Sequence, residues 1–179
     1  YIGLKGFNLE EHFRHLVPIP MTVGNDMDFL TMGCWAQKHP DAGSLVTLFM
    51  GGNGIGGGMV INGRLWTGAS GYCSEVGFLP VYERLNKGSL GLPPAEHISE
   101  LYARLIQVYA VTVNPHMMVL YRHPLLEGRL DEIRRLCASY LPSKAIPSIE
   151  LSYDYQQDYE KGLFTVAKSM GQAVSEGGL

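Results

Sequence analysis

The stretch Gly51-Gly52-Asn53-Gly54-Ile55-Gly56-Gly57-Gly58-Met59-Val60-Ile61-Asn62-Gly63-Arg64-Leu65-Trp66 decides how this chain is read. Residues 45–50 (LVTLFM) lead into it as a continuous apolar run with β-branched members, the pattern of a buried strand. So many glycines let backbone N–H groups approach a ligand closely, as phosphates and sugar hydroxyls require. No Gly-Lys-Ser/Thr follows, so this is not a P-loop. A second strand stands where the dinucleotide fingerprint needs a helix. Asn62-Gly63 between two apolar segments is a strong hairpin signal, because both turn positions need φ > 0. On residues alone, a purely structural glycine hairpin remains the alternative.

Downstream of the hairpin, Gly68, Gly71 and Gly77 keep the chain loop-like and close-packed. Beyond Pro93-Pro94 the period becomes helical, with Ile98, Leu101, Tyr102, Leu105, Ile106, Tyr109 and Val113 on one face. Residues 117–121 read as a strand, and Leu126, Leu130, Ile133, Cys137 and Tyr140 mark a helix. Residues 146–151 read as a strand that Pro147 assigns to an edge. A last helix spans about 154–173, with Tyr159, Leu163, Val166 and Met170 as its apolar side. Toward the N-terminus, residues 27–37 suit a buried helix and residues 21–23 a strand entering Gly24-Asn25-Asp26. Asn8 and Glu11 predict a capped helix over 8–17, with Phe13 and Leu16 facing the core. Strands and helices in this mixture predict an α/β lobe of undetermined strand order.

Composition narrows the function classes. The 179 residues fit one sizeable domain or a large lobe of a two-lobed protein. Fourteen Lys and Arg against 17 Asp and Glu, without a basic tract, argue against nucleic-acid contact by this chain. No segment approaches the roughly 20 apolar residues of a membrane span. Three widely spaced cysteines, Cys34, Cys73 and Cys137, suit reduced thiols in a cytoplasmic protein. The chain opens at Tyr1 without a charged-then-apolar leader and reads as a piece of a longer protein.

Residues 51–78, GGNGIGGGMVINGRLWTGASGYCSEVGF, resemble the signature of the ROK family of bacterial repressors and sugar kinases. The likeness includes the Asn62-Gly63 turn, the Gly68-Ala69-x-Gly71 loop and Glu75-x-Gly77. Flanking elements agree: Phe7-Asn8-Leu9 with Pro20, Gly24-Asn25-Asp26, and Val113-Asn114-Pro115 before a strand. The resemblance implies the C-terminal lobe of an actin-like ATPase fold, ribonuclease-H-like, with a mixed sheet and flanking helices over residues 1–179. The N-terminal lobe, with its Asp-x-Gly-Gly-Thr-type hairpin, and the winged helix of the repressors have no counterpart here.

It also implies roles. Asp26 matches the kinases' catalytic base, which takes the proton from the attacking sugar hydroxyl if the intact protein is a kinase. Asn25, Asp26 and Glu75 match sugar-binding positions, and Gly52, Asn53 and Gly54 match the loop that meets nucleotide phosphates, with Asn53 in place of threonine. A helix N-cap is the plain alternative for Asn25-Asp26. Asp28 reads as a solvent-facing helix residue.

Departures point the other way. Phe78 stands where the family has a histidine that touches sugar and helps hold zinc. The downstream cysteine cluster is missing, and residues 79–94 hold no cysteine or histidine. No structural zinc is therefore expected. Tyr121-Arg122-His123 replaces a Gly-Gly pair and is expected to crowd a nucleotide. The resulting expectation is the sugar- or sugar-phosphate-sensing lobe of a homodimeric ROK-type transcriptional regulator, cytoplasmic and binding a small carbohydrate, with no cofactor in this piece. The alternatives are the C-terminal lobe of a sugar kinase using ATP and Mg2+, or a non-catalytic assembly domain.

Overall fold

A computed structural model of the chain describes residues 6–17, 19–85 and 94–176. The apolar run forms β1 (Ser44–Gly51), the centre of a five-stranded sheet of order β3-β2-β1-β4-β5. β2 (Gly54–Ile61) returns antiparallel to β1 and continues into the two-residue β3 (Arg64–Leu65). β4 (Met117–Tyr121) lies parallel on the other side of β1, and β5 (Ser148–Ser152) lies parallel to β4 at the edge. Asn62 and Gly63 take φ of 50° and 74°, the double positive φ that a tight two-residue hairpin demands. Pro147 stands just before the edge strand, where a missing N–H is tolerated.

β1 is largely buried because helices cover both of its faces, and its polar Thr47 is paired with the Thr31 hydroxyl. Val46, Leu48 and Met50 meet α4 (Ile98–Thr112) and α5 (Leu130–Tyr140) in a core with Leu101, Leu105 and Ile133. Leu45 on the opposite face meets Met27, Leu30 and Cys34 of α2 (Asp26–Lys38). This is the period-two alternation of a strand buried on both sides. α6 (Tyr155–Glu176) lies along α2, joined by a buried cluster in which Asp158 accepts from Lys38 at 2.7 Å and from Tyr121 at 2.6 Å.

The glycine run is itself a strand. Only Gly52 and Asn53 form a turn; Gly54, Gly56, Gly57 and Gly58 pair with β1. Their lack of side chains lets two layers close down on β2. A Cβ on Gly58 would lie 2.7 Å from the Met27 carbonyl oxygen of α2, and one on Gly57 would lie 2.9 Å from the Ser74 carbonyl oxygen. The first turn of α2 is thereby seated on the hairpin.

Local pattern misled in three places. α1 (Leu9–Arg14) is capped by Asn8 as expected, through Glu11 N–H at 3.0 Å, but none of its residues is buried. Phe13 and Leu16 are 42% and 64% exposed, so they do not face this core. Residues 21–23 are not a strand; instead the Glu10 carboxylate accepts from Val23 N–H at 2.8 Å and from Thr22 Oγ1 at 3.1 Å. Over residues 155–170 of α6 the buried positions are Asp158 and Gly162, whereas Leu163 is 40% exposed.

Candidate functional site

The site starts at the N-terminus of α2. Asn25 has extended backbone and its Oδ1 accepts from Met27 N–H at 2.8 Å, so it is the N-cap. Asp26 is the first helical residue, and its Oδ1 also accepts from Met27 N–H at 2.8 Å. Both side chains are exposed. Capping uses one lone pair of Asn25 and leaves its amide donors free in direction; Asp26 keeps its second oxygen for a ligand. The helix dipole favours a negative charge at this end.

Asp26 and the hairpin share one cavity of about 250 Å3, lined by Asp26, Phe49, Gly51, Gly52, Asn53 and Gly54 among others. Gly52 and Asn53 are exposed at the tip, and nothing lies within 4 Å of a Cβ on Gly52. Gly54 holds φ at +127°, a conformation open to glycine and strained for other residues. An aromatic wall stands behind: Phe49 meets Tyr155 at 4.6 Å between ring centroids, and Tyr155 stacks on Tyr159 at 6.0 Å. Burial first, then the charge of Asp26, raises the pKa of Tyr155, which keeps that phenol a hydrogen-bond donor.

Glu75 lies elsewhere. It lines a second cavity, of about 280 Å3, between β2, α4 and the loop after β3. That loop turns sharply: Gly68 and Gly71 have φ of 74° and 77°, and Ser74, a non-glycine residue, has φ of 66°. It is held by Val76 N–H to Ser74 O at 2.8 Å and by Phe78 N–H to Glu75 O at 3.1 Å. Asp28 links the two places electrically. It is half-buried rather than solvent-facing, and burial, followed by the charges of Glu75 and then Asp26, raises its pKa. Three carboxylates thus gather where α2 meets the exposed loop, and sequence reading recognised two of them. Asp28 was legible only as an acid in a first helical turn, because its neighbour Glu75 is distant in sequence.

One departure changes meaning in three dimensions. Tyr121 does not crowd the hairpin: it is 1% exposed and donates to Asp158 inside the core. Arg122 turns to Glu127 at 2.7 Å, and His123 caps the next turn through Leu125 N–H. Phe78 is 77% exposed beside Tyr72, ring centroids 6.1 Å apart. Among the described residues no group of three His, Cys, Asp or Glu side chains is placed to hold a metal; residues 86–93 lie outside the described residues. No described helix is long and apolar enough to cross a membrane.

A central mixed sheet with helices on both faces and a glycine hairpin at the head of α2 is the architecture of the actin-like ATPase fold. Solved proteins of that fold superpose on the chain. A proposed N-acetylmannosamine kinase from Listeria monocytogenes matches with a TM-score of 0.71 and 17% identity, over 92% of this chain and 71% of that one. A ROK family glucokinase from Streptomyces griseus, in complex with glucose and AMPPNP, matches with a TM-score of 0.57 and 17% identity, over 89% and 71%. The ROK family model matches residues 2–96, and the chain belongs to the ROK family. A glucokinase of Halalkalibacterium halodurans is 30% identical over 80 residues, which is 45% of this chain. The match spans only 24% of that curated relative's length.

Proposed function

We propose that residues 1–179 are the C-terminal lobe of an ATP-dependent sugar kinase, which transfers a phosphoryl group to a hydroxyl of a hexose or N-acetylhexosamine. The observation that carries this reading is the shared cavity of Asp26 and the Gly52-Asn53-Gly54 tip. It puts a carboxylate beside exposed backbone suited to phosphate, the two elements that in-line transfer to an alcohol needs. The sugar oxygen attacks the γ-phosphorus and the bond to the β-phosphate oxygen breaks. Asp26 takes the hydroxyl proton as ADP leaves. Asn25 and Glu75 orient the sugar hydroxyls. Mg2+ carried by ATP would neutralise phosphate charge, with a partner lobe closing the other side.

The relatives named above are kinases, and this supports the kinase reading over the sugar-sensing lobe expected from the departures alone. Tyr121 is buried and does not line the cavity of Asp26 and the hairpin, although the Gly-Gly pair is still absent. Phe78 and the missing cysteine cluster remain, and they favour a kinase without the family's zinc. Homodimer assembly and a cytoplasmic setting belong to the same proposal.

The test is ADP release by the full-length protein with Mg-ATP and a panel of hexoses and N-acetylhexosamines. Asp26→Asn is expected to lower kcat by about 100-fold or more, with melting temperature unchanged because Asn25 remains the cap. Sugar-independent ADP release, or full turnover by Asp26→Asn, would refute the assignment.

A further inference from the structure

The second cavity has no part in the chemistry just described except through Glu75 at its rim. Its lining surface is chiefly apolar, from Met59, Val76, Leu79, Val108 and Val113, with Ser74 and Thr112 as polar breaks and Tyr72 at the mouth. Its volume of about 280 Å3 exceeds the roughly 150 Å3 that suffices for a benzene ring in an apolar protein cavity. The loop that forms one wall is braced from within. Burial pushes the Tyr109 phenol up to about 12 against an opposing hydrogen bond with Ser74, so the hydroxyl stays protonated and ties α4 to that loop. Gly57 lets the loop seat on β2, since a Cβ there would meet Ser74 O at 2.9 Å and Tyr109 Oη at 3.1 Å. The cavity is therefore a built feature and not a gap left by loose packing.

Tyr72 at the mouth and Phe78 beside it are 69% and 77% exposed, an aromatic pair next to the Glu75 carboxylate in sequence. Apolar surface of this kind in contact with a charged acceptor suits an amphipathic ligand. Glu75 lines this cavity and also lies near enough to Asp28 for its charge to raise that residue's pKa. We infer that the cavity between β2, α4 and the loop of residues 72–79 takes the apolar aglycone of a glycoside whose sugar ring is held by Glu75. The substrate class is thereby extended from free sugars to sugars carrying an aryl or alkyl group. This rests on the sugar-binding reading above.

The experiment is calorimetric titration of the full-length protein with glucose, N-acetylglucosamine and the α- and β-phenyl glycosides of each. One phenyl glycoside is expected to bind at least about tenfold tighter than its parent sugar, because the ring leaves water for a chiefly apolar cavity. Val108→Phe fills the cavity and is expected to bring the ratio of the two Kd values close to one. Tyr72→Ala, at an exposed position that does not endanger folding, is expected to reduce the same ratio. Glucose or N-acetylglucosamine binding without any gain from the phenyl group overturns the aglycone site alone. Failure of every sugar and every phenyl glycoside to bind overturns it together with the sugar-kinase reading. A phenyl advantage that survives both variants places the ring elsewhere and also overturns it.

Discussion

Gly33 of α2 and Gly162 of α6 touch backbone to backbone. A Cβ built on Gly162 would lie 3.1 Å from the Gly33 nitrogen and 2.6 Å from the Phe29 carbonyl carbon, and one on Gly33 would lie 2.6 Å from the Gly162 nitrogen. Neither helix can yield locally, because these are main-chain atoms. Glycine lowers helix propensity by about 1 kcal/mol against alanine, so close approach is the reason for its presence here. Gly33→Ala and Gly162→Ala are each expected to destabilise by about 2–3 kcal/mol net through overpacking. Thermal melts would register this as a fall of roughly 2–4 °C per kcal/mol for a chain of this size. An unchanged melting temperature would show that the helices separate freely.

The same pair of helices is joined by a buried charge. Asp158 is 0% exposed; its Oδ2 accepts from Lys38 and Tyr121, and its Oδ1 has no hydrogen-bond partner among the described residues. Lys38 also reaches Asp154 at 3.1 Å. Asp158→Ala strips two donors of their acceptor at once and is expected to destabilise by about 3–5 kcal/mol. Asp158→Asn, which keeps an acceptor for Tyr121, should lose less. Urea unfolding of the two variants measures the difference, and equal losses would place the effect in packing instead of charge.

Asp28 should reveal its neighbours by titration. Burial, then Glu75, then Asp26 raise its pKa above 3.8. In the unfolded chain the group has its ordinary value, so between the two values the native state binds more protons. This contribution to stability is full below the unfolded pKa and is lost as pH rises through the folded one. Carboxyl 13C NMR should give a midpoint above 3.8, moved down in Glu75→Gln and less so in Asp26→Asn. A midpoint unmoved by Glu75→Gln would separate the two carboxylates.

Thiol chemistry should single out one cysteine. Cys34 and Cys137 are 0% exposed, and burial pushes their thiols up to about 12 and about 11. Cys73 is half-buried at the wall of the second cavity. At mildly alkaline pH a thiol reagent is expected to label Cys73 in the native protein, and all three cysteines after denaturation. Rapid native labelling of Cys34 would contradict the packing of α2 on the sheet.

Much of this was legible in the chain. The hairpin at Asn62-Gly63, the helices α2, α4 and α5, and strands β1, β4 and β5 follow from local period and turn chemistry. Asn25 as a cap needs only a polar residue before an apolar helix. Local reading failed where a face is chosen by a distant partner. Leu163 has the right period for burial, yet Gly162 is buried, because α6 is drawn against α2 by main-chain contact that no hydrophobicity pattern encodes. Phe13 and Leu16 are periodic but remain 42% and 64% exposed, Phe13 meeting His12 edge-on at 5.3 Å instead of the core.

The amino-acid sequence alone determined the family of this protein and the residues available for chemistry, because glycine spacing, Asn25-Asp26 and Glu75 are properties of the chain's order. Tertiary structure alone decided how those residues are distributed. Asp26 shares a cavity with the Gly52-Asn53-Gly54 tip, Glu75 lines another beside α4, and Asp28 feels both charges. The reason is geometric: strand order, and the side of β2 on which each neighbour packs, depend on contacts between segments far apart in sequence. Tyr121 shows it most simply, since one residue placed by sequence beside a nucleotide is carried by the parallel pairing of β4 into the core, where its hydroxyl meets Asp158.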